Sequence, residues 1–118
     1  MDISRVIEAM KKEPGFSKNV GMVLVHNGVV RGWSRQDHKT VTGIEVAVDE
    51  HKVEALRKEY SQKPGIYKIL IECRSGRLHP GDDLLFIVVA GDIRENVKPV
   101  LSELLDRIKA EAVTKTEL

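Results

Sequence analysis

Seven cations carry the most usable chemistry in this sequence. Arg31 and Arg35 follow a run rich in β-branched residues, Arg74 and Arg77 flank a glycine in a turn-rich segment, Arg94 stands near the start of the last amphipathic stretch, and Lys109 and Lys115 stand near its end. Arginines grip phosphates and carboxylates through paired N–H donors, and a lysine amine that gives up its proton serves as base or nucleophile. Taken singly, each is by default a solvated surface charge. Lys109 directly follows the apolar Ile108, at the edge of a buried stripe, where partial desolvation would favour a usable amine. Arg94 and Lys109 are 15 positions apart. Along one continuous helix that separation is about 22 Å on roughly the same side, so the two cannot share a ligand within one subunit. If both belong to one site, it must be assembled across a symmetric dimer.

Other reactive residue types point to less. His26, His38, His51 and His79 include no i, i+4 pair, and the single cysteine, Cys73, has no partner at ligand spacing, so no metal site is expected. Cys73 reads as a small apolar strand residue and cannot form an internal disulfide. The serines sit in no Gly-x-Ser-x-Gly elbow, and Gly28-Val29-Val30-Arg31-Gly32 lacks the spacing and the following Lys-Ser/Thr of a phosphate loop.

Composition narrows the class. The chain has 118 residues, 42% hydrophobic and 31% charged, which fits one globular domain over 1–118. Nineteen Lys+Arg against 18 Asp+Glu leave +1, without the bulk positive field of a nucleic-acid binder, and 4% aromatics argue against base-stacking platforms. The longest apolar run, Leu84 to Ala90, is far short of the roughly 20 residues that cross a bilayer. Met1-Asp2-Ile3-Ser4 lacks the order of a signal peptide, so no membrane partner and a cytoplasmic location are expected.

The elements that must position the cations follow from periodicity. Ile3, Val6, Ile7 and Met10 make one helical stripe stopped by Pro14-Gly15. Val20 to Val25 reads as a strand closed by the turn-forming Asn27-Gly28, and Thr42 to Val48 alternates as a half-buried strand. Asp49 caps a helix over roughly Glu50 to Gln62. Ile66 to Cys73 and Leu84 to Ala90 are strands, the second central, joined by turns over Arg74 to Asp83. Ile93 to Ala112 is a long amphipathic helix, with Asp92 and Glu95 spaced as a capping box; Pro99 is tolerable if Asn96 is the true cap and otherwise kinks the helix. The order α-β-β-α-β-β-α predicts an α+β fold with antiparallel neighbours.

Three strings in this order resemble the large, catalytic (MoaE) subunit family of molybdopterin synthase, over about residues 3 to 112. Arg74-Ser75-Gly76-Arg77-Leu78-His79-Pro80-Gly81-Asp82 looks like the family's Arg-x-Gly-x-Leu-x-x-Gly-Asp/Glu turn. Asn27-Gly28-Val29-Val30-Arg31-Gly32 is similar to its Gly-x-Val-Arg strand end, and Leu105-Asp106-Arg107-Ile108-Lys109 to its Asp-x-Leu-Lys helix end. The resemblance implies an α/β hammerhead-like fold, a mostly antiparallel sheet with a long C-terminal helix. It implies an enzyme that takes a ubiquitin-like small subunit ending in a glycine thiocarboxylate and transfers its sulfur to a cyclic pyranopterin phosphate, forming molybdopterin. No metal or cofactor is implied for that step. By the same resemblance Lys109 is the catalytic lysine, Arg31 and Arg94 line the anionic pocket, and the large subunit is a homodimer at the centre of a heterotetramer, with Arg94 reaching in from the second protomer.

The sequence departs from that family in several places. Ile93 stands where the family has histidine before the arginine, removing a donor. The final Pro-x-Trp-Lys segment appears as Val113-Thr114-Lys115-Thr116, so the second lysine maps onto Thr116, with Lys115 as a substrate-binding substitute if the tail shifts by one position. Glu72 and Cys73 replace a basic strand end, and no counterpart of the family's longer tail and its additional arginine follows Leu118. These departures leave an alternative: a non-catalytic dimer that binds a ubiquitin-like sulfur carrier or a pterin.

Overall fold

The computed structural model describes residues 1–118. Helix α1 (Ile3–Lys11) opens on Asp2, whose carboxylate accepts the Arg5 N–H, and a single short turn, α2 (Phe16–Asn19), follows the Pro14-Gly15 stop. Then come β1 (Met22–Val29), β2 (Ile44–Val48), α3 (Glu50–Ser61), β3 (Ile66–Cys73), β4 (Gly76–Leu78), β5 (Asp83–Gly91), α4 (Arg94–Glu111) and β6 (Val113–Glu117). The class is α+β, as expected, and all strand pairs are antiparallel. No helix is long and apolar enough to cross a membrane.

The strands form two three-stranded antiparallel sheets, ordered β1-β5-β3 and β4-β2-β6, in keeping with the mostly antiparallel fold expected. β5 is central because it is apolar on both faces. Its Val88 and Ala90 pack under α1 against Met10, while Leu85, Ile87 and Val89 face the core made with Val53 and Leu56 of α3 and Val97, Leu104 and Ile108 of α4. The small sheet joins that second core through Ile44, Val46 and Leu78. Asp49 caps α3 as expected, accepting the Lys52 N–H at 3.0 Å.

Several local expectations give way to pairing. Asn27-Gly28 does not turn: β1 runs through it, paired with β5 from Met22 opposite Gly91 to Val29 opposite Asp83, with a bulge between Gly28 and Val29. Glycine tolerates the extended ladder, and backbone pairing to a buried strand outweighs a local turn preference. β2 therefore pairs with β4 and β6 rather than with β1. The segment 74–83 is not all turn, since Gly76–Leu78 forms β4, and α4 is not the last element, since β6 follows it. At the start of α4 the cap is Ile93, not Asn96, and the capping box does not form. Asp92 accepts its neighbour's N–H at Ile93 (2.6 Å) and the Asn96 amide (2.9 Å), while Glu95 pairs with Arg94. Pro99 thus lies in the second turn of a helix that continues past it to Glu111, where its missing N–H costs one ladder bond.

Candidate active site

The bulged end of β1, the segment 30–36 after it, the last turn of α4 and the strand β6 enclose a cleft of about 480 Å³. Arg31, Arg35, Lys109 and Lys115 line it, with His26 and Gly28 from one face of β1 and aliphatic surface from Ile44, Leu84 and Leu85. Bulges often sit beside sites because they re-aim a strand end, and here the bulge precedes Arg31. A larger hollow of about 670 Å³ lies at Lys18, Asn19, Tyr67 and Asp92, but it gathers none of the candidate residues.

Backbone bonds fix the arginine-bearing segment. The Val30 N–H donates to the Asp82 carbonyl (2.9 Å), the Gly81 N–H donates back to Val30 (2.9 Å), and the Val41 N–H donates to Gly32 (3.0 Å). The Arg31 guanidinium lies over Trp33, 4.9 Å from the ring centroid, and Trp33 in turn stacks on His38 at 5.2 Å. The Ser34 hydroxyl donates to Glu117 at 3.2 Å, tying this segment to β6.

Strand period settles which residue of the tail enters the cleft. Lys115 stands opposite Val46 and Thr116 opposite Glu45, so the two face opposite sides of the small sheet. Lys115 and Glu117, two apart, line the cleft, and Thr116 does not. Burial lowers the Lys115 pKa, and the positive charges of Lys109 and Arg31 lower it further, followed by Arg35; Glu117 opposes the shift. A lysine so placed gives up its proton more readily than one in water. The His26 imidazole is also held below its usual pKa, first by burial and then by Lys109.

Lys109 owes its position to a clamp one turn wide. Arg107 donates to both carboxylate oxygens of Glu111 (2.7 and 3.2 Å) and to Glu59 of α3 (2.5 Å), lies over Tyr60, and shares Glu111 with Lys52 (3.1 Å). These bonds hold the end of α4 to α3 while Ile108 plugs the core, which leaves Lys109 pointing off the edge into the cleft. Hydrogen bonds from Arg107, and after them from Lys52, hold the Glu111 carboxyl down at about 2. The ordinary carboxylate value is 4.5, so the clamp contributes fully above that value and is lost as pH falls toward about 2. Urea midpoints measured from pH 5 to 2 should therefore fall more steeply for the wild type than for Glu111→Gln. Parallel curves would show that the clamp adds no stability.

Of the four residues that the resemblance assigns to the site, Arg31, Lys109 and Lys115 come together. Arg94 does not: it projects from the opposite end of α4, largely exposed and paired with Glu95 at 3.0 Å. Both Arg94 and Lys109 lie on the one helix, as their spacing predicted. A turn at Asn27-Gly28, as the sequence predicts, hides His26 as a cleft residue. Continuing the strand through that dipeptide would have placed His26 and Gly28 on one face, leading to Arg31.

Fold and cleft together define an α+β protein with a cleft lined by two arginines and two lysines. A sequence model of the family described as "MoaE protein" matches residues 1–111, and the chain belongs to that family. It is 25% identical over 113 residues to a "Probable molybdopterin synthase" of Haloferax volcanii, covering 92% of this chain. The chain spans 43% of the length of that curated relative. The fold is similar to a molybdopterin synthase structure from Staphylococcus aureus, with a TM-score of 0.79 at 22% identity, covering 100% of this chain and 85% of the other. It is likewise similar to a chain in the complex of subunits 1 and 2 of molybdopterin-converting factor from Helicobacter pylori, with a TM-score of 0.72 at 20% identity, covering 100% and 79%.

Proposed function

We propose that this chain is the large subunit of a molybdopterin synthase, acting in molybdenum cofactor biosynthesis. It would transfer sulfur from a small-subunit thiocarboxylate to cyclic pyranopterin monophosphate. The observation that carries this reading is the convergence of Lys109, Lys115 and Arg31 on one cleft from three separate elements. Family membership and the two-subunit complex among its structural relatives support a small-subunit partner.

The geometry suits the chemistry required. Both ligands are anions: the pterin carries a phosphate, and the protein tail is a thiocarboxylate before transfer and a carboxylate after it. Arg31 and Arg35 supply forked donors for either group, strengthened by the partly water-excluded walls of Ile44, Leu84 and Leu85. Lys115, its amine made less basic by burial, is placed to move a proton, and Lys109 is placed to engage the tail's acyl carbon or steady the charge that develops there. The chain would act in the cytoplasm as one domain over residues 1–118 and pair with a second copy within a heterotetramer. Arg94, too distant along α4 to reach its own cleft, would then enter the partner's.

The test is turnover. Purified protein, a thiocarboxylated small subunit from the same organism and pyranopterin monophosphate should yield molybdopterin, read as its fluorescent oxidation product. Absence of product with the small subunit still bound would replace this reading with a binding dimer that has lost catalysis.

A further inference from the structure

We propose that His26 orients the pterin in the cleft by accepting a hydrogen bond at Nε2 from a ligand N–H or O–H. The inference deepens the reading above and rests on it. His26 Nε2 is the only buried side-chain nitrogen or oxygen in the protein with no hydrogen-bond partner. Native proteins satisfy such atoms, and an exception calls for a partner from outside the chain. The ring sits on the cleft face of β1 above Gly28, so close that a Cβ added to Gly28 would stand 3.0 Å from Nε2. A side chain at position 28 would press on the ring and make it give by a few tenths of an ångström.

Chemistry selects the proton state. Nδ1 is neither buried nor bonded within the protein, so water can solvate a proton there, whereas a proton on Nε2 would be a buried donor without an acceptor. The neutral ring with its lone pair on Nε2 is the favoured form. The charged groups facing it are Lys109 from α4, Lys115 and Glu117 from β6, and Arg31 and Arg35 from the segment after β1; β2 and β5 contribute only aliphatic side chains. The net positive surroundings oppose an imidazolium, in keeping with the lowered pKa. The two arginines, and the lysines while protonated, can only donate, so they grip the anionic part of a ligand rather than its N–H or O–H groups. His26 supplies an acceptor on the β1 face of the same cleft.

The test separates this proposal from the function it rests on. In the turnover assay His26→Phe should raise KM for the pterin by roughly 3- to 10-fold, the worth of one hydrogen bond, while His26→Gln, which keeps an acceptor, stays near wild type. Wild-type KM should also rise on acidification as the imidazole, held below its ordinary value, takes up its proton, a limb that His26→Gln lacks. Alongside, imidazole 15N shifts of the wild-type chain should move at Nε2 when pyranopterin monophosphate is added and stay put with sulfate, which has no donor. Shifts at Arg31 and Lys109 without one at Nε2, or an unchanged KM in His26→Phe, would overturn the role of His26 alone. No shift anywhere in the cleft would overturn the pterin reading and this proposal with it.

Discussion

Lys109→Ala is expected to lower the rate of molybdopterin formation by about 100-fold or more, while the protein still folds and still binds the small subunit. The side chain leaves the helix at the one point where its neighbours do all the anchoring. Ile108 is fully buried, Arg107 and Glu111 clamp the same turn to α3, and the Ala112 N–H closes the helix on the Ile108 carbonyl at 2.9 Å. Removing the amine therefore removes no structural contact, so a loss of activity would report on chemistry. The companion comparison is sharper. Lys115→Ala should lose activity by a similar order, and Thr116→Ala should lose none, because strand period turns Lys115 into the cleft and Thr116 away from it. Circular dichroism and small-subunit pull-down would be run on each variant. A Lys109→Ala protein that turns over at the wild-type rate would remove the lysine from the mechanism, and a damaging Thr116→Ala would mean that the register of β6 differs from the one described.

The second large effect is on stability. Leu104→Ala should cost about 2–5 kcal/mol, because Leu104 is fully buried in the core shared by α4, α3 and β5 and its loss leaves a cavity that a packed helix cannot close. Against a typical total of about 5–15 kcal/mol, that is a large share. Leu105, one position along and only partly buried, should cost visibly less when truncated. Urea titration reads both, with a lowered midpoint and an unchanged slope expected for Leu104→Ala. A loss below about 1 kcal/mol would contradict the packing of α4 against the sheet. The consequence reaches the cleft, since Leu104 and Ile108 seat the helix whose next residue is Lys109.

Much of this molecule is legible in the residues themselves. The stripe Ile3, Val6, Ile7 and Met10, the Asp49 cap and the continuous apolar run from Leu84 to Ala90 each encode their element locally, and all three appear where expected. Caps and hydrophobic period act over one or two turns, so a single segment carries the whole signal. β4 and β6 were not legible for the opposite reason. Their residues are mostly exposed and carry little apolar pattern, and they are strands only because β2 stands between them offering both edges. Asn27-Gly28 failed in the same way: its turn preference is local, but the ladder from β1 to β5 joins residues about sixty positions apart.

The sequence by itself determined the class, the long helix that holds Arg94 and Lys109 too far apart for one ligand, and the cations that form the family's pattern. Tertiary structure alone decided that Arg31, Lys109 and Lys115 meet, that Lys115 rather than Thr116 faces them, and that His26 lies among them with an unpaired nitrogen. The reason is physical. A helix or a cap is fixed by neighbours within a few residues, whereas a cleft is made where distant strands pair and exclude water, and pairing partners are chosen by the whole fold.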